Sequence, residues 1–268
     1  MAQTMMELIK RRRSVRTFSG RPSAQDMRKL QVYVGDISSP FGISVEFRIL
    51  DAEKYGLKSP VIAGTDLYLA AKCRNEENCG LSVGWCFEEA CLRALSLNIG
   101  TVMLGGTMNR DAFEKAMDLC DDEVMPVVSP LGYIAEKMSL RESLMRKGTG
   151  ADQRKPFEEL FFADSFDHAL KRENAGIFAD ALEALRLAPS AVNHQPWRAV
   201  ICPEGVHFFL VRSMKEGRID LQKTDLGIAL CHFDLVMKEQ GYHGTFRFSD
   251  SGLKLPQKTE YTVSYYPV

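Results

Sequence analysis

Apolar residues recur along this chain at two spacings, one typical of helices and one typical of strands. Phe87 and Cys91 lie on one face of a continuous apolar pattern that predicts a long helix over 82–97. Phe47 and Ile49 alternate with polar residues, which is typical of a strand with one buried face. Both kinds of element therefore occur within the first hundred residues.

The same two spacings predict the remaining elements. Further helices are predicted at 5–10, 22–34, 110–119, 177–187 and 225–240. Strands are predicted at 44–50, 66–72, 124–133, 198–202 and 207–211. The stretch 137–156 is polar and basic, and we predict a loop there. This order indicates an α+β fold, with a central, mostly antiparallel sheet flanked by helices in each half of the chain.

Two helical segments resemble each other. The segments 81–101 and 224–245 align so that Gly84 matches Gly227 and a leucine follows eight residues later in each. A later Gly-Thr pair matches only if one residue is inserted. The repeat indicates a duplicated unit, which divides the chain into halves at 1–165 and 166–268.

The bulk composition is that of an ordinary globular protein, with 45% hydrophobic and 26% charged residues. Because 34 Lys and Arg balance 35 Asp and Glu, the net charge of −1 predicts neither nucleic acid nor an anionic membrane as partner. No apolar run reaches the roughly 18 residues of a membrane span, and no secretory signal pattern opens the chain. We expect a cytoplasmic protein.

The cysteines favour the same compartment. Their number, 7, is odd, and none stands in paired C-x-x-C spacing, which favours free thiols over disulfides or a zinc site. We interpret them as packing residues and predict no metal site. Cys231 and His194 have no partner at a spacing typical of a catalytic triad, so both are interpreted as structural.

The motif RRRSVR at 11–16 places guanidinium groups and a hydroxyl at the end of a predicted helix. Such a set of donors is suited to a phosphate and to the polar edge of a ring. Two alternatives stay open. The run could be a solvated basic surface, or a basic patch that binds nucleic acid with strong salt dependence.

The segment APSAVNHQPW at 188–197 precedes a predicted strand. Its two prolines bracket Ser190, Asn193 and Gln195, small polar residues that can direct donors at a ligand from a stiff loop. The alternative is a plain helix-to-strand connection in which Asn193 caps a turn and Trp197 fills the core.

Taken together, five segments resemble the FMN-dependent nitroreductase family. They are RRRSVR, APSAVNHQPWR, TVMLGG (101–106), LGY (131–133) and RKPFEEL (154–160). Members are usually homodimers that bind FMN between subunits. Here the Pro-Ser loop lies in the second half of the chain, an order that resembles the single-chain pseudo-dimers of the family. The resemblance implies a nitroreductase-like α/β/α sandwich with two related halves in one chain.

The resemblance also implies roles for the first half. Arg12 and Ser14 would hold the FMN phosphate or ribityl chain, with Arg13 beside them. Arg154 and Lys155 would approach the same phosphate. Arg16 would lie at the N1 and C2 edge of the flavin, where a fixed cation favours hydride acceptance; it is the one residue to which we assign a catalytic role.

Further roles follow for the loops. The second half would contribute Pro189, Ser190, Asn193 and Gln195, although Ala191 replaces the second serine of the usual pattern. Leu104, Gly105 and Gly106 would direct a backbone N–H at flavin N5. The family often has an acidic residue where Gly105 stands, and Gly105 and Gly106 alone could equally form a turn.

By resemblance, the chain would be an FMN-dependent NAD(P)H oxidoreductase with a ping-pong cycle. Its small-molecule acceptors would be aromatic, nitro or quinone-like compounds. The flavin would perform the chemistry, so no protein nucleophile is needed. A second alternative also stays open, besides a protein that binds nucleic acid. The chain could be a flavin-binding protein with little turnover, because its motifs specify a flavin cradle more firmly than a substrate pocket.

Overall fold

Two separate β-sheets organise the chain in a computed structural model that describes residues 3–213, 217 and 219–268. The strands of the first sheet are β1 (Phe18–Gly20), β2 (Glu46–Asp51), β3 (Leu67–Arg74), β4 (Ile99–Gly100), β5 (Glu123–Val124) and β6 (Val128–Ile134). The strands of the second are β7 (Phe161–Ala163), β8 (Trp197–Cys202), β9 (Gly205–Val211), β10 (Gly244–Arg247) and β11 (Thr259–Pro267).

The first sheet has the order β1-β6-β3-β2, with β4 beside β6 and β5 beside β3, and all its pairs are antiparallel. The second has the order β10-β11-β9-β8-β7, in which only β7 and β8 run parallel. Mostly antiparallel sheets with helices against them confirm the predicted α+β class.

Nine α-helices occur in the described residues. They are α1 (Met5–Arg11), α2 (Ala24–Gly35), α3 (Ala52–Tyr55), α4 (Cys79–Ser96), α5 (Arg110–Ala116), α6 (Leu140–Gly148), α7 (Phe157–Leu160), α8 (Ala179–Arg186) and α9 (Leu221–Glu239). Ser23 caps α2 as predicted, its side chain accepting the backbone N–H of Asp26. In the part of the chain that is described, no helix is long and apolar enough to cross a membrane.

The long helices α4 and α9 cross at two glycines. A Cβ atom built on Gly84 would lie 2.1 Å from the carbonyl oxygen of Thr224, and one built on Gly227 would lie 2.3 Å from that of Leu81. Each glycine therefore faces the residue three positions before the other. Such reciprocal contacts are typical of a two-fold interface, and they involve the residues that the sequence repeat aligns.

The prediction of a loop over 137–156 is wrong, because α6 occupies much of it. Ser139 caps this helix by accepting the backbone N–H of Glu142, and a serine three residues before a glutamate is a known start signal. Leu140 and Leu144 stay exposed on its surface, so the segment lacks the apolar face on which pattern analysis depends. The polar composition of this segment therefore gave no sign of the helix.

Strands β7, β10 and β11 were not predicted either. β7 precedes the proposed boundary at residue 165, yet it pairs with β8 in the second sheet. The division into halves at 1–165 and 166–268 stays a prediction.

Because the two helices meet backbone to backbone, we expect Gly84→Ala and Gly227→Ala each to lower the free energy of unfolding by about 2–3 kcal/mol. Gly35→Ala at the end of α2 is the matched control, since its Cβ would meet nothing within 4 Å. It should be neutral or stabilise by up to about 1 kcal/mol. Urea denaturation of the three variants measures the difference, and equal effects at Gly84 and Gly35 would contradict the close crossing.

Candidate active site

A cavity opens where the segment after α1 faces the loop between α8 and β8. It consists of two adjoining pockets of about 250 and 380 Å³. Both pockets are lined by Arg12, Ser14, Arg16, Pro189, Ser190 and Val192. The smaller, called the basic pocket here, is also lined by Arg13, Arg146, Arg154 and Asn193. The larger, the apolar pocket, is also lined by Met103, Leu104, Gly105, Gly106, Val127, Leu221 and Ile228.

The residues of the RRRSVR motif reach the cavity because the chain becomes extended as α1 ends. Arg12 has φ −60° and ψ 129°, which stops the helix. The backbone N–H of Val15 then donates to the carbonyl oxygen of Thr101 at 2.9 Å. Side chains alternate along an extended segment, so Val15 is buried while Arg12, Ser14 and Arg16 face the cavity.

Arg12 is held beside a buried carboxylate. Its Nε lies 3.5 Å from Oε1 of Glu88 and donates no hydrogen bond within the described residues. The same Glu88 oxygen lies 2.8 Å from Nε2 of His232, whose Nδ1 faces the carbonyl oxygen of Ala184 at 3.0 Å. Glu88 and His232 are almost fully buried, so this chain of contacts connects the cavity to the crossing of α4 and α9.

Arg16 is a second cation with an unused donor. Its Nε is buried and has no hydrogen-bond partner in the described residues. Burial lowers the pKa of Arg16, and Arg146 lowers it further, against the opposing effect of Glu142. A buried N–H donor without an acceptor is costly, so an acceptor placed beside this Nε would stabilise the site.

The loop from α8 to β8 is held in a strained conformation. Val192, Asn193 and Gln195 all have positive φ, at 46°, 57° and 50°, which is rare for residues other than glycine and rarest for a β-branched one. The backbone N–H of Gln195 donates to Oγ of Ser190 at 2.9 Å. Asp225 of α9 accepts the backbone N–H of Ala191 at 3.0 Å.

Asn193 connects this loop to residues 150–154. Its Nδ2 donates to the carbonyl oxygens of Gly150 at 2.7 Å and Gln153 at 3.0 Å, and its Oδ1 accepts from Nη1 of Arg154 at 3.3 Å. Arg154 also donates to the carbonyl oxygen of Leu187 at 3.1 Å. These hydrogen bonds hold the guanidinium in place without a ligand. Burial, and then the nearby Arg12, lower the pKa of Arg154 to about 10.

Two of the predicted site residues do not line either pocket. Oε1 of Gln195 accepts the backbone N–H of Lys155 at 2.8 Å, and its Nε2 donates toward Asn193. Gln195 is buried, whereas Lys155 is partly exposed. In this arrangement Gln195 and Lys155 shape the loop that carries Asn193 and Arg154.

The segment Leu104–Gly106 forms a wall of the apolar pocket. Leu104 pairs with Val128 through two backbone hydrogen bonds of 2.8 and 3.1 Å. The N–H groups of Gly105 and Gly106 donate no hydrogen bond within the described chain. A Cβ on Gly105 would lie 3.2 Å from Leu221, and one on Gly106 would meet nothing within 4 Å. The two glycines thus leave backbone donors beside an open apolar space.

Three functional candidates were missed by sequence reasoning. Glu88 is hidden within the apolar pattern of α4, and Arg146 lies in the segment that was predicted as a loop. Asp225 follows Thr224 at the start of α9, where an acidic residue is usually an ordinary helix-terminal feature. Only the crossing of α4 and α9 brings Glu88 and Asp225 to the same cavity.

Comparison with known proteins assigns the chain to a family. The profile of the family described as "Putative TM nitroreductase" matches residues 4–237. The crystal structure of a nitroreductase-like protein from Thermotoga maritima is similar to 99% of this chain and 94% of its own, with a TM-score of 0.64 and 17% identity. This likeness shows a shared nitroreductase fold.

A second solved structure matches only part of the chain. An FMN-dependent nitroreductase from Clostridium difficile matches 52% of this chain and 94% of its own, with a TM-score of 0.42 and 15% identity. The search of curated proteins found no match. Because the family profile covers most of the sequence, the chain belongs to this nitroreductase family.

Proposed function

We propose that this chain is an FMN-dependent oxidoreductase. It takes hydride from NAD(P)H and reduces small aromatic, nitro or quinone-like acceptors in a ping-pong cycle. The observation that carries the proposal is the cavity. There, guanidinium donors of Arg12 and Arg16 that have no acceptor among the described residues adjoin an apolar space, which is bordered by the N–H groups of Gly105 and Gly106, likewise without an acceptor in the described chain.

The basic pocket fits a terminal phosphate. A phosphate dianion favours more than one guanidinium, and Arg12, Arg13 and Arg154 line this pocket together with the hydroxyl of Ser14. Arg154 is already fixed by backbone carbonyls and by Asn193. Binding therefore requires little ordering of the side chains, which favours affinity.

The apolar pocket fits the ring system. FMN, when bound, accepts a hydride from a nicotinamide and passes electrons to the acceptor. The chain itself provides the surroundings: Arg16 supplies a cation that favours negative charge on the ring, and Gly105 and Gly106 offer backbone donors. Met103, Leu104 and Ile228 give this pocket apolar walls, and electrostatic effects are stronger in such surroundings than in water.

We further propose that one chain forms one complete site, as a single-chain pseudo-dimer. Arg12, Ser14 and Arg16 come from the half 1–165, whereas Pro189, Ser190 and Asn193 come from the half 166–268, and both sets line one cavity. All seven cysteines are free, which fits a reducing cytoplasm that supplies NAD(P)H.

The purified protein should absorb near 450 nm, roughly where oxidised flavin absorbs, and should release FMN rather than FAD on denaturation. The basic pocket provides for one terminal phosphate, which is the reason for this choice. NADPH or NADH should bleach the band. A protein that binds added FMN without bleaching would support a flavin-binding role with little turnover, and a colourless protein that fails to bind FMN would contradict the proposal.

Arg16 and Arg12 should have separable roles. Arg16→Ala should lower the flavin reduction potential and slow reduction by NAD(P)H more than it weakens FMN binding, because its cation favours the reduced ring. Arg12→Ala and Ser14→Ala should mainly weaken binding. Dye-coupled potentiometry and fluorescence titration with FMN measure the two quantities. Equal losses of affinity in all three variants would remove the distinction.

The single-chain site can be tested by mixing variants. Arg12→Ala and Asn193→Ala should each weaken the same site, with one FMN bound per wild-type chain. Mixing the two variants should not restore tight binding, because each chain lacks one part of its own site. Recovery of tight FMN binding in the mixture would show that the parts come from different chains.

A further inference from the structure

A carboxyl group, that of Asp225, lies in the wall of the apolar pocket. Asp225 is 6% exposed, and both of its oxygens lie 3.0 Å from the backbone nitrogen of Ala191. Within the described residues it forms no ion pair. Its side chain borders the same space as Gly105, Gly106 and Ile228.

Among the described residues, no cation that lines the apolar pocket forms an ion pair with Asp225. Four other titratable side chains of the described chain line this pocket: Arg12, Arg16, Glu88 and Cys91. Arg12 is engaged by Glu88 at 3.5 Å. On its own helix, Asp225 follows the carboxylate of Asp220, which is the N-cap of α9 and accepts the backbone N–H of Lys223.

These surroundings favour the neutral acid. Burial raises the pKa of Asp225 to about 8, and the charge of Asp220 adds to the rise, while the hydrogen bond from Ala191 opposes it. Asp225 therefore keeps its proton to a higher pH than an ordinary aspartate does. A protonated carboxyl in a cavity wall is a proton source as well as a hydrogen-bond donor.

We propose that Asp225 is the proton donor to the acceptor substrate in the apolar pocket. This assignment rests on the proposed function, since it requires an acceptor that is reduced there. It also selects a substrate class, namely acceptors such as quinones whose oxygen must gain a proton as electrons arrive.

The step balances with the reactants already named. NAD(P)H provides a hydride, which is two electrons and one proton, and these reach the quinone by way of the flavin. The O–H bond of Asp225 breaks and a new O–H bond forms on the second quinone oxygen. The product is a hydroquinone, NAD(P)⁺ is left, and the Asp225 carboxylate regains a proton from water.

Two acceptors separate proton donation from other effects. The holoenzyme, reduced by NADPH, is reoxidised by 1,4-benzoquinone, which needs protons, or by ferricyanide, which takes electrons alone. In Asp225→Asn the quinone rate should fall about 100-fold relative to the ferricyanide rate. Asp234→Asn, which removes another buried carboxyl of α9 outside both pockets, should leave this ratio unchanged.

Two readouts do not depend on the variant's turnover. In wild-type enzyme the quinone rate should fall above about pH 8, whereas the ferricyanide rate should not. In the flavin-free protein, the folded state should hold one proton more than the unfolded state between the ordinary aspartate pKa of about 4 and about 8. The unfolding constant of wild type should then rise with pH, relative to Asp225→Asn, by up to about tenfold per pH unit.

The outcomes distinguish failure of the proposed oxidoreductase function from failure of the proposed proton donor. An enzyme that NADPH never reduces contradicts the proposed function and, with it, this assignment. Normal turnover with an unchanged quinone-to-ferricyanide ratio in Asp225→Asn overturns only the proton donor. A parallel fall of both rates assigns Asp225 to loop anchoring through Ala191 and also overturns it, as does a pH dependence of unfolding that the substitution leaves unaltered.

Discussion

The close crossing of α4 and α9 is the constraint on which the rest of the molecule depends. Gly84 and Gly227 let the two backbones meet, because any side chain at either position would collide with a carbonyl oxygen of the other helix. Since α4 packs against β3 of the first sheet and α9 packs against β9 of the second, the crossing helps to position the two sheets. It also brings Glu88 and Asp225, from different helices, to the wall of one cavity.

The cavity contains buried charged groups that lower the stability of the folded state. The Nε atoms of Arg12 and Arg16 are buried and have no hydrogen-bond acceptor among the residues that the structure describes. Burial lowers the pKa of both Arg16 and Arg154. The loop 188–195 adds strain through Val192, a β-branched residue at φ 46°. Such features are typical of ligand sites. A bound ligand with suitable acceptors would offset the unfavourable free energy of the unpaired donors.

Much of the fold and part of the site could be predicted from the sequence. The long helices and the mostly antiparallel pairing follow from periodicity, and aligning two segments matched Gly84 with Gly227. The local motifs also pointed to Arg12, Arg16 and Asn193, which line the cavity. The features that the sequence did not reveal lack an apolar pattern or depend on contacts between distant parts of the chain. α6 has no apolar face, and the supporting roles of Lys155 and Gln195 depend on a hydrogen bond between distant segments. Glu88 and Asp225 acquire their significance only through the helix crossing.

The most direct test of the single-chain flavin site is a crystal structure of the protein grown with FMN. We expect one FMN per chain, with its phosphate among Arg12, Ser14 and Arg154. The ring should lie between the Gly105–Gly106 backbone and the 188–193 loop of the same polypeptide. An FMN bound elsewhere, or a site closed by the 188–193 loop of a second chain, would contradict it.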